Sequence, residues 1–130
     1  MSRVFVTGTL VTGIGNASGF TSLDWARAAF REAVGIDPHP GTINLTVAGT
    51  SLLRWRQVRA TSGIVIYPPR TDWCDARLWR ATIAGRIPAG IVLPDVPGYA
   101  ETQIELIAPV RVRDALGVTD GAEIGIEVET

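Results

Sequence analysis

A strict alternation of polar and apolar side chains runs through Gly41-Thr42-Ile43-Asn44-Leu45-Thr46-Val47. This pattern predicts a β-strand that is buried on one face, because successive side chains of a strand point to opposite sides of the sheet. Thr42, Asn44 and Thr46 share one face, and the three apolar residues share the other. The sequence therefore predicts a sheet with an apolar core on one side of this strand and polar groups on the other.

The polar face of this strand offers two oxygen-bearing side chains, Thr42 and Asn44. Neighbouring residues on one face of a strand lie roughly 6.5–7 Å apart. A hydroxyl and a carboxamide oxygen at that spacing can both reach one small, hard cation that keeps most of its water ligands. The alternative is that both side chains simply face solvent, and the strand taken alone favours that alternative.

Length and composition predict one domain over residues 1–130. Hydrophobic residues make up 46% of the chain and charged residues 19%, which argues against disorder. No apolar run approaches the roughly 18–20 residues that a membrane span requires, and the first residues lack the apolar segment of a signal peptide. Cys74 is the only cysteine, so we expect no internal disulfide and no CxxC metal site. These features predict a cytoplasmic protein that does not associate with membranes.

The charged residues narrow the range of functions. The formal net charge is −1, which argues against a nucleic-acid-binding protein. All 12 basic residues are arginines, and the lack of lysine excludes a Walker A site and a Schiff-base lysine. An anion would therefore be held by backbone N–H groups, arginine side chains or a metal ion. His39, the single histidine, lacks the partners of a catalytic triad or a two-histidine metal site.

A segment rich in small residues, Thr12–Phe20, follows the first predicted strand, Val4–Val11. Its glycines allow positive φ angles and a close approach of a ligand to the backbone, and consecutive N–H groups of such a loop can bind an anion. The alternative is an ordinary surface turn, which a glycine pair alone does not exclude.

One amphipathic helix is predicted over Leu23–Val34, where apolar residues recur at helical spacing. Ser22 is in position to cap its N-terminus, and Gly35 is the expected stop at its C-terminus. The segment Val112–Gly117 is long enough for one further helical turn.

The rest of the chain consists mainly of short β-like runs separated by turns that contain proline or glycine. Besides the two strands already described, these runs are Ser51–Val58, Gly63–Tyr67, Arg77–Ala84, Gly90–Leu93, Thr102–Ile107 and Glu123–Val128. Many short strands with one helix predict a mainly β fold, either a small barrel or a sandwich, with a helix inserted at about residues 23–34.

Two late positions carry groups that are suited to chemistry. Glu105 alternates with Ile104 and Leu106, so its carboxylate has apolar neighbours in sequence and is a candidate general base. The alternative is an exposed glutamate that pairs with an arginine. Arg111 and Arg113 are candidate donors to a phosphate or to a base edge, and the alternative for them is a solvated basic turn.

Taken together, these segments resemble one known family, the archaeal-type CTP-dependent riboflavin kinases. The motifs agree in order and spacing from about residue 7 to residue 128. They are Gly13-Ile14-Gly15 up to Phe20 and Ser22-Leu23, Gly41-Thr42-Ile43-Asn44-Leu45, Ile104-Glu105-Leu106-Ile107-Ala108-Pro109-Val110 with Arg113, and Asp120-Gly121. The pair G-T-[IL]-N-L and I-E-[IL]-I-A-P is the most specific part, whereas residues 49–88 match no motif.

This resemblance implies a six-stranded cradle-loop β-barrel. It implies an enzyme that transfers the γ-phosphate of CTP to the 5′-hydroxyl of riboflavin, giving FMN and CDP, with Mg²⁺ as cofactor. CTP and riboflavin would be its partners, and we expect a monomer.

The family's functional residues can be carried over to matching positions. Thr42 and Asn44 would bind Mg²⁺, Glu105 would contact the ribityl chain of the flavin near the attacking hydroxyl, and Gly98 would belong to the flavin-binding segment. We hypothesise that Glu105 orients or deprotonates that hydroxyl. The nucleotide would contact two segments: Ile14, Gly15, Asn16, Ala17, Ser18 and Gly19 in the glycine-rich loop, and Val110, Arg111, Val112 and Arg113 after the late strand.

The chain departs from the family pattern at two places. Ala17 stands where the family has a glycine, and Pro97–Ala100 lacks the threonine and histidine of a Thr-Tyr-His segment that touches the flavin. The alternative function is therefore a non-catalytic barrel of the same family that binds a nucleotide, a flavin or a partner protein. A DNA-binding barrel of the related transcription-factor type is disfavoured by the acidic charge balance.

Overall fold

The computed structural model describes residues 2–13 and 16–130. The strands in this part of the chain are β1 (Arg3–Val11), β2 (Ile43–Thr46), β3 (Ile64–Ile66), β4 (Ala76–Ile83), β5 (Ile87–Pro94), β6 (Gln103–Ile107) and β7 (Glu123–Glu129). The helices are α1 (Asp24–Val34), α2 (Gly49–Arg59) and α3 (Val112–Leu116), and a short 3-10 helix over Ser18–Ser22 precedes α1. Within these residues, every helix is too short or too polar to cross a membrane.

Six strands form a closed antiparallel barrel in the order β4-β5-β6-β2-β1-β7, and β7 pairs back onto β4 to close it. β3 extends the sheet alongside β4 as a seventh strand. This arrangement confirms the predicted mainly β fold with a six-stranded barrel and excludes the sandwich. The alternating stretch supplies β2, which lies between β1 and β6 and is therefore paired along both edges.

The two faces of β6 are buried in different apolar clusters. Ile104 and Leu106 belong to the cluster that fills the barrel, whereas Ile107 belongs to a second cluster that contains Ala17 and Phe30. Side chains alternate along a strand, so Glu105 lies on the same face of β6 as Ile107. Ala17 of the glycine-rich segment (residues 12–20) and helix α1 cover that face, which explains how a glutamate on this strand can be shielded from water.

Helix α1 confirms the predicted amphipathic helix. Its buried residues, Ala26, Phe30 and Val34, recur every four positions and therefore face the barrel together. Gly35 ends the helix in the left-handed conformation with a φ of 73°, which glycine adopts at little cost.

The predicted capping role of Ser22 is wrong. Helix α1 begins after Leu23, and no side chain forms a hydrogen bond that caps it. The hydroxyl of Ser22 instead donates to the carbonyl oxygen of Gly19 at 3.0 Å within the 3-10 helix. Apolar spacing marks the start of the α-helix but does not reveal a preceding 3-10 turn, so the sequence placed the boundary correctly and the cap incorrectly.

The predicted strand over Ser51–Val58 is also wrong, because this segment lies within α2. Trp55 and Val58 are fully buried and Leu52 is partly buried, and this spacing of three residues places them on one helix face. A short run rich in apolar residues does not distinguish a strand from a buried helix, and its contact with the barrel decides between them. Helix α3 confirms the helical turn predicted at Val112–Gly117.

Candidate functional site

The side chain of Glu105 is completely buried beside the alternating stretch. On β6 it lies directly opposite Asn44 of β2. Glu105 is 0% exposed and Asn44 is 7% exposed. Within the described part of the chain, its hydrogen-bond donors are neutral groups and none is an arginine. This environment excludes the exposed glutamate paired with an arginine.

Oxygen Oε2 of Glu105 accepts hydrogen bonds from two segments that are distant in sequence. The hydroxyl of Thr42 donates to it at 3.0 Å, and the backbone N–H of Ala17 donates at 2.9 Å. Thr42 directly precedes β2, and Ala17 belongs to the glycine-rich segment. The fold therefore brings the alternating stretch, the glycine-rich segment and Glu105 to one point.

Oxygen Oε1 of Glu105 accepts hydrogen bonds from two residues that sequence reasoning missed. The hydroxyl of Tyr99 donates at 3.0 Å, and Nε2 of Gln103 donates at 3.1 Å. Burial, reinforced by the adjacent Glu105, raises the pKa of Tyr99 far above its usual value, so the phenol stays protonated and remains a donor. Gln103 could have been found from its position two residues before Glu105 on one strand face. No sequence signal pointed to Tyr99 as a partner of Glu105.

The side chain of Asn44 is held between its neighbours. Its Nδ2 donates to the backbone carbonyl of Thr42 at 3.3 Å, and its Oδ1 lies 3.4 Å from Nε2 of Gln103. Gly13 packs closely against it: a Cβ at this glycine would lie 3.1 Å from Cγ of Asn44 and 3.2 Å from its Oδ1. Thr42 and Asn44 thus present their oxygens next to Glu105, although the two side chains have different hydrogen-bond partners.

The glycine-rich segment is joined to the beginning of the alternating stretch through Thr21, which sequence reasoning did not single out. The hydroxyl of Thr21 accepts a hydrogen bond from the backbone N–H of Gly41 at 2.8 Å and donates to the carbonyl of Ser18 at 2.7 Å. Thr21 is 4% exposed. These two bonds hold the 3-10 helix against the residue that precedes Thr42.

Ala17 adopts a backbone conformation with negative φ, which residues other than glycine adopt without strain. Its φ is −94° and its ψ is −3°, so the departure from the family's glycine causes no strain here. Its methyl group is fully buried in the cluster with Phe30. Asn16 and Gly19 are exposed, whereas Ile14 and Gly15, also predicted to contact the nucleotide, lie outside the described residues.

A cleft of about 350 Å³ opens beside Thr42 and Asn44. The four residues predicted to contact a nucleotide after the late strand all line it: Val110, Arg111, Val112 and Arg113. The structure therefore brings both predicted metal ligands and this segment to one cleft.

The two arginines of this cleft have acidic partners. Arg113 is paired with Asp120 at 2.6 Å, and Asp120 also accepts a hydrogen bond from the hydroxyl of Thr12 at 2.6 Å. The Thr12 hydroxyl and the Arg113 guanidinium hold the pKa of Asp120 below its usual value. Arg111 forms an exposed pair with Asp114. Both arginines thus line the cleft with their guanidinium groups held in ion pairs.

Gly98 lies in a different cleft, which measures about 510 Å³. Tyr99 lines this second cleft, and Thr42 lines the first. Because both residues donate to the same carboxylate, Glu105 links the two clefts through one hydrogen bond on each side.

The family model of the CTP-dependent riboflavin kinase domain, also described as the domain of unknown function DUF120, matches residues 10–128. The chain belongs to this family. Two curated relatives carry the name riboflavin kinase. The one from Archaeoglobus fulgidus is 32% identical over 126 residues, covering 95% of this chain and 54% of its own length. The one from Pyrobaculum calidifontis is 33% identical over 132 residues, covering 98% of this chain and 61% of its own length.

Family membership covers nearly the whole chain, but the chain spans only 54–61% of the length of these two relatives. The relative from Saccharolobus solfataricus, also named riboflavin kinase, is matched over 75% of its length at 28% identity. The match of residues 10–128 includes both Glu105 and the Thr42–Asn44 pair.

Thr42 and Asn44, the pair that the family resemblance assigns to Mg²⁺, are uncharged and therefore differ from the acidic ligands of many metal sites. Within residues 2–13 and 16–130, no group of three or more His, Cys, Asp or Glu side chains is arranged to hold a metal ion. The Thr42 hydroxyl and the Asn44 carboxamide are oxygen donors, as is the adjacent Glu105, and Mg²⁺ prefers oxygen ligands. This donor set fits Mg²⁺ chemically.

Proposed function

We propose that this chain is a riboflavin kinase that transfers the γ-phosphate of CTP to the 5′-hydroxyl of riboflavin, giving FMN and CDP, with Mg²⁺ as cofactor. The main support is the position of Glu105, which receives one hydrogen bond from Thr42 of the first cleft and another from Tyr99 of the second. A transfer between two ligands requires their reacting atoms to meet at one point, and a buried carboxylate between two clefts suits that need.

In this proposal the nucleotide occupies the first cleft. Residues 14–19 of the glycine-rich segment contact its phosphates through backbone N–H groups, and the segment Val110–Arg113 lines the rest of its site. Phosphoryl transfer depends mostly on positioning and on neutralising charge, so a chain without lysine can perform it with backbone amides, arginine and a metal ion.

Thr42 and Asn44 hold Mg²⁺ in this proposal. Neither side chain carries a negative charge that would repel the phosphates. When bound, the ion neutralises charge on the phosphate oxygens. The hydrogen bonds of Thr42 to Glu105 and of Asn44 to the Thr42 carbonyl keep the two donors close together.

The flavin approaches from the side of Gly98, and its ribityl chain contacts Glu105. The 5′-oxygen of riboflavin forms a bond to the γ-phosphorus of CTP. The bond between that phosphorus and the oxygen bridging to the β-phosphate breaks, and the electron pair leaves with CDP. Glu105 orients the 5′-hydroxyl and accepts its proton.

The proposal also includes the remaining features expected from the sequence. Residues 1–130 would form one domain that acts as a cytoplasmic monomer, with CTP and riboflavin as partners and without binding nucleic acid or membranes. The net charge of −1 supports the expectation that the chain does not bind nucleic acid. Light scattering of the purified chain tests the monomer.

Incubation of the purified chain with riboflavin, CTP and Mg²⁺ tests the reaction, with FMN and CDP separated by chromatography. We expect one CDP for each FMN. The variant Glu105→Gln should lower kcat about 100-fold, the size of a typical general-base contribution. Glu123→Gln, which changes an exposed glutamate at the start of β7, is the matched control and should keep full activity.

Replacement of CTP by ATP in the same assay tests the choice of nucleotide.

Formation of FMN by the Glu105→Gln variant at the wild-type rate with saturating substrates would show that Glu105 is not the general base. Absence of FMN, combined with calorimetric binding of CDP or FMN, would instead identify the non-catalytic barrel.

A further inference from the structure

We infer that the two oxygens of Glu105 have different roles in the reaction. Oε1 is held in place by hydrogen bonds from Tyr99 and Gln103, and Oε2 accepts the hydrogen bond and then the proton of the riboflavin 5′-hydroxyl. Tyr99 and Gln103 are then positioning residues for the transfer. This inference rests on the proposed function and adds to it which atom acts and which residues hold it.

The donors to Oε1 come from β6 itself and from the turn that precedes it, on the side of the second cleft. Gln103 is on β6 itself, two residues before Glu105, and its backbone N–H donates to the carbonyl of Ala100 at 3.1 Å, which secures the turn that carries Tyr99. Tyr99 keeps its proton because burial and the nearby carboxylate disfavour the phenolate. Two donors on one oxygen fix the rotation of the carboxylate as well as its position.

The donors to Oε2 belong to the two segments that the nucleotide and the cation would contact, whereas Tyr99, a donor to Oε1, lines the second cleft. Ala17 lies in the glycine-rich segment, and Thr42 lines the first cleft. A nucleotide phosphate on that segment offers the N–H of Ala17 an alternative acceptor, whereas a cation binds the oxygen of Thr42 and leaves its hydroxyl proton on Oε2. The attacking hydroxyl must lie between the carboxylate and the γ-phosphorus, so it takes the place of the Ala17 donor on Oε2, the oxygen on the nucleotide side, while Oε1 keeps its contacts.

Gln103 also connects the anchored carboxylate with the proposed metal pair. Its Nε2 lies 3.1 Å from Oε1 of Glu105 and 3.4 Å from Oδ1 of Asn44. The carboxamide of Gln103 thus sets the distance between Glu105, the proposed base, and Asn44, a proposed ligand of the cation. A change in this spacing affects the transfer step more than the binding of the nucleotide.

The test is a double-mutant cycle that measures kcat and the KM for CTP. Tyr99→Phe removes only the hydroxyl and should lower kcat about tenfold while the KM for CTP changes less than twofold. In the Glu105→Gln background the same substitution should have less than a twofold effect, because Tyr99 acts through the carboxylate. Thr7→Val, which also removes one hydroxyl but at an exposed position of β1 outside both clefts, is the control and should keep full activity.

Gln103→Met provides a second variant if Tyr99→Phe does not fold, and it should show the same fall in kcat and the same loss of effect in the Glu105→Gln background. An unchanged kcat in the folded variants, or an equal effect in both backgrounds, would overturn the inference and leave the proposed function intact. A wild-type chain that forms no FMN would overturn both.

Discussion

The hydroxyl of Thr42 lies 3.0 Å from Oε2 of Glu105, although the two residues are 63 positions apart in the sequence. Antiparallel pairing of β2 with β6 creates this contact, because Asn44 is opposite Glu105 and Thr42 lies two residues before Asn44. The candidate metal pair and the candidate base are therefore parts of one hydrogen-bond network. A substitution in either part should affect the other.

Thr42→Val should weaken the use of Mg²⁺, because it keeps the shape of the side chain and removes its oxygen. We expect the half-saturating concentration of Mg²⁺ to rise about tenfold or more, since loss of even an outer-shell partner typically has an effect of this size. The measurement is the initial rate of FMN formation across a Mg²⁺ titration. Thr46→Val, at an exposed position of the same strand, is the control. Equal Mg²⁺ curves for the two variants would contradict the prediction.

Gly13→Ala should disturb Asn44 directly. The new Cβ would lie 3.1 Å from Cγ of Asn44, which is closer than most contacts of a real Cβ, so the carboxamide must shift. We expect kcat for FMN formation to fall about tenfold. Gly125→Ala on β7 is the control, because its nearest contact is 3.7 Å away and lies on the side chain of Phe5. Wild-type kcat in Gly13→Ala would show that Asn44 need not keep its observed position.

Glu105→Gln should also destabilise the fold. The amide group of glutamine would face donors that now reach a carboxylate, which leaves buried donors without an acceptor. We expect the free energy of unfolding to fall by about 1–3 kcal/mol. Urea denaturation followed by tryptophan fluorescence measures it. Glu123→Gln, at an exposed position, should stay within about 0.5 kcal/mol of wild type. Equal stability of the two variants would mean that the four donors are not specific for a carboxylate.

The ionised Asp120 carboxylate, paired with Arg113 at the first cleft, should stabilise the fold at neutral pH more than at acidic pH. Its pKa is held below the usual value of 3.8, first by the Thr12 hydroxyl and then by Arg113. A lowered pKa means that the unfolded chain binds the proton more readily. The stabilisation is therefore complete above pH 3.8 and is lost as the pH falls through the lower folded value.

Carboxyl chemical shifts measured by NMR across a pH titration check this assignment. Thr12→Val and Arg113→Gln should each move the pKa of Asp120 upward, towards its usual value. A wild-type Asp120 that titrates at or above 3.8 would contradict the assignment.

Local patterns predicted much of the fold. Apolar spacing identified α1, with Gly35 at its end, and alternation identified β2 and the segment of β6 around Glu105. These elements are predictable because each buries a regular subset of its own residues. The prediction of a strand over Ser51–Val58 failed because the apolar spacing of this segment fits both a strand and a helix, and only its packing on the barrel selects the helix.

The sequence by itself determined the family, the closed β-barrel implied by it and the residue types available for chemistry: Thr42, Asn44 and Glu105, with no lysine. Tertiary structure alone decided how these residues are held. Tyr99 and the N–H of Ala17 converge on Glu105 from separate segments, and Thr21 joins the glycine-rich segment to Gly41. The physical reason is that a buried carboxylate must be surrounded by donors. Those donors are chosen by proximity in space, which strand register and loop closure establish and which no local pattern records.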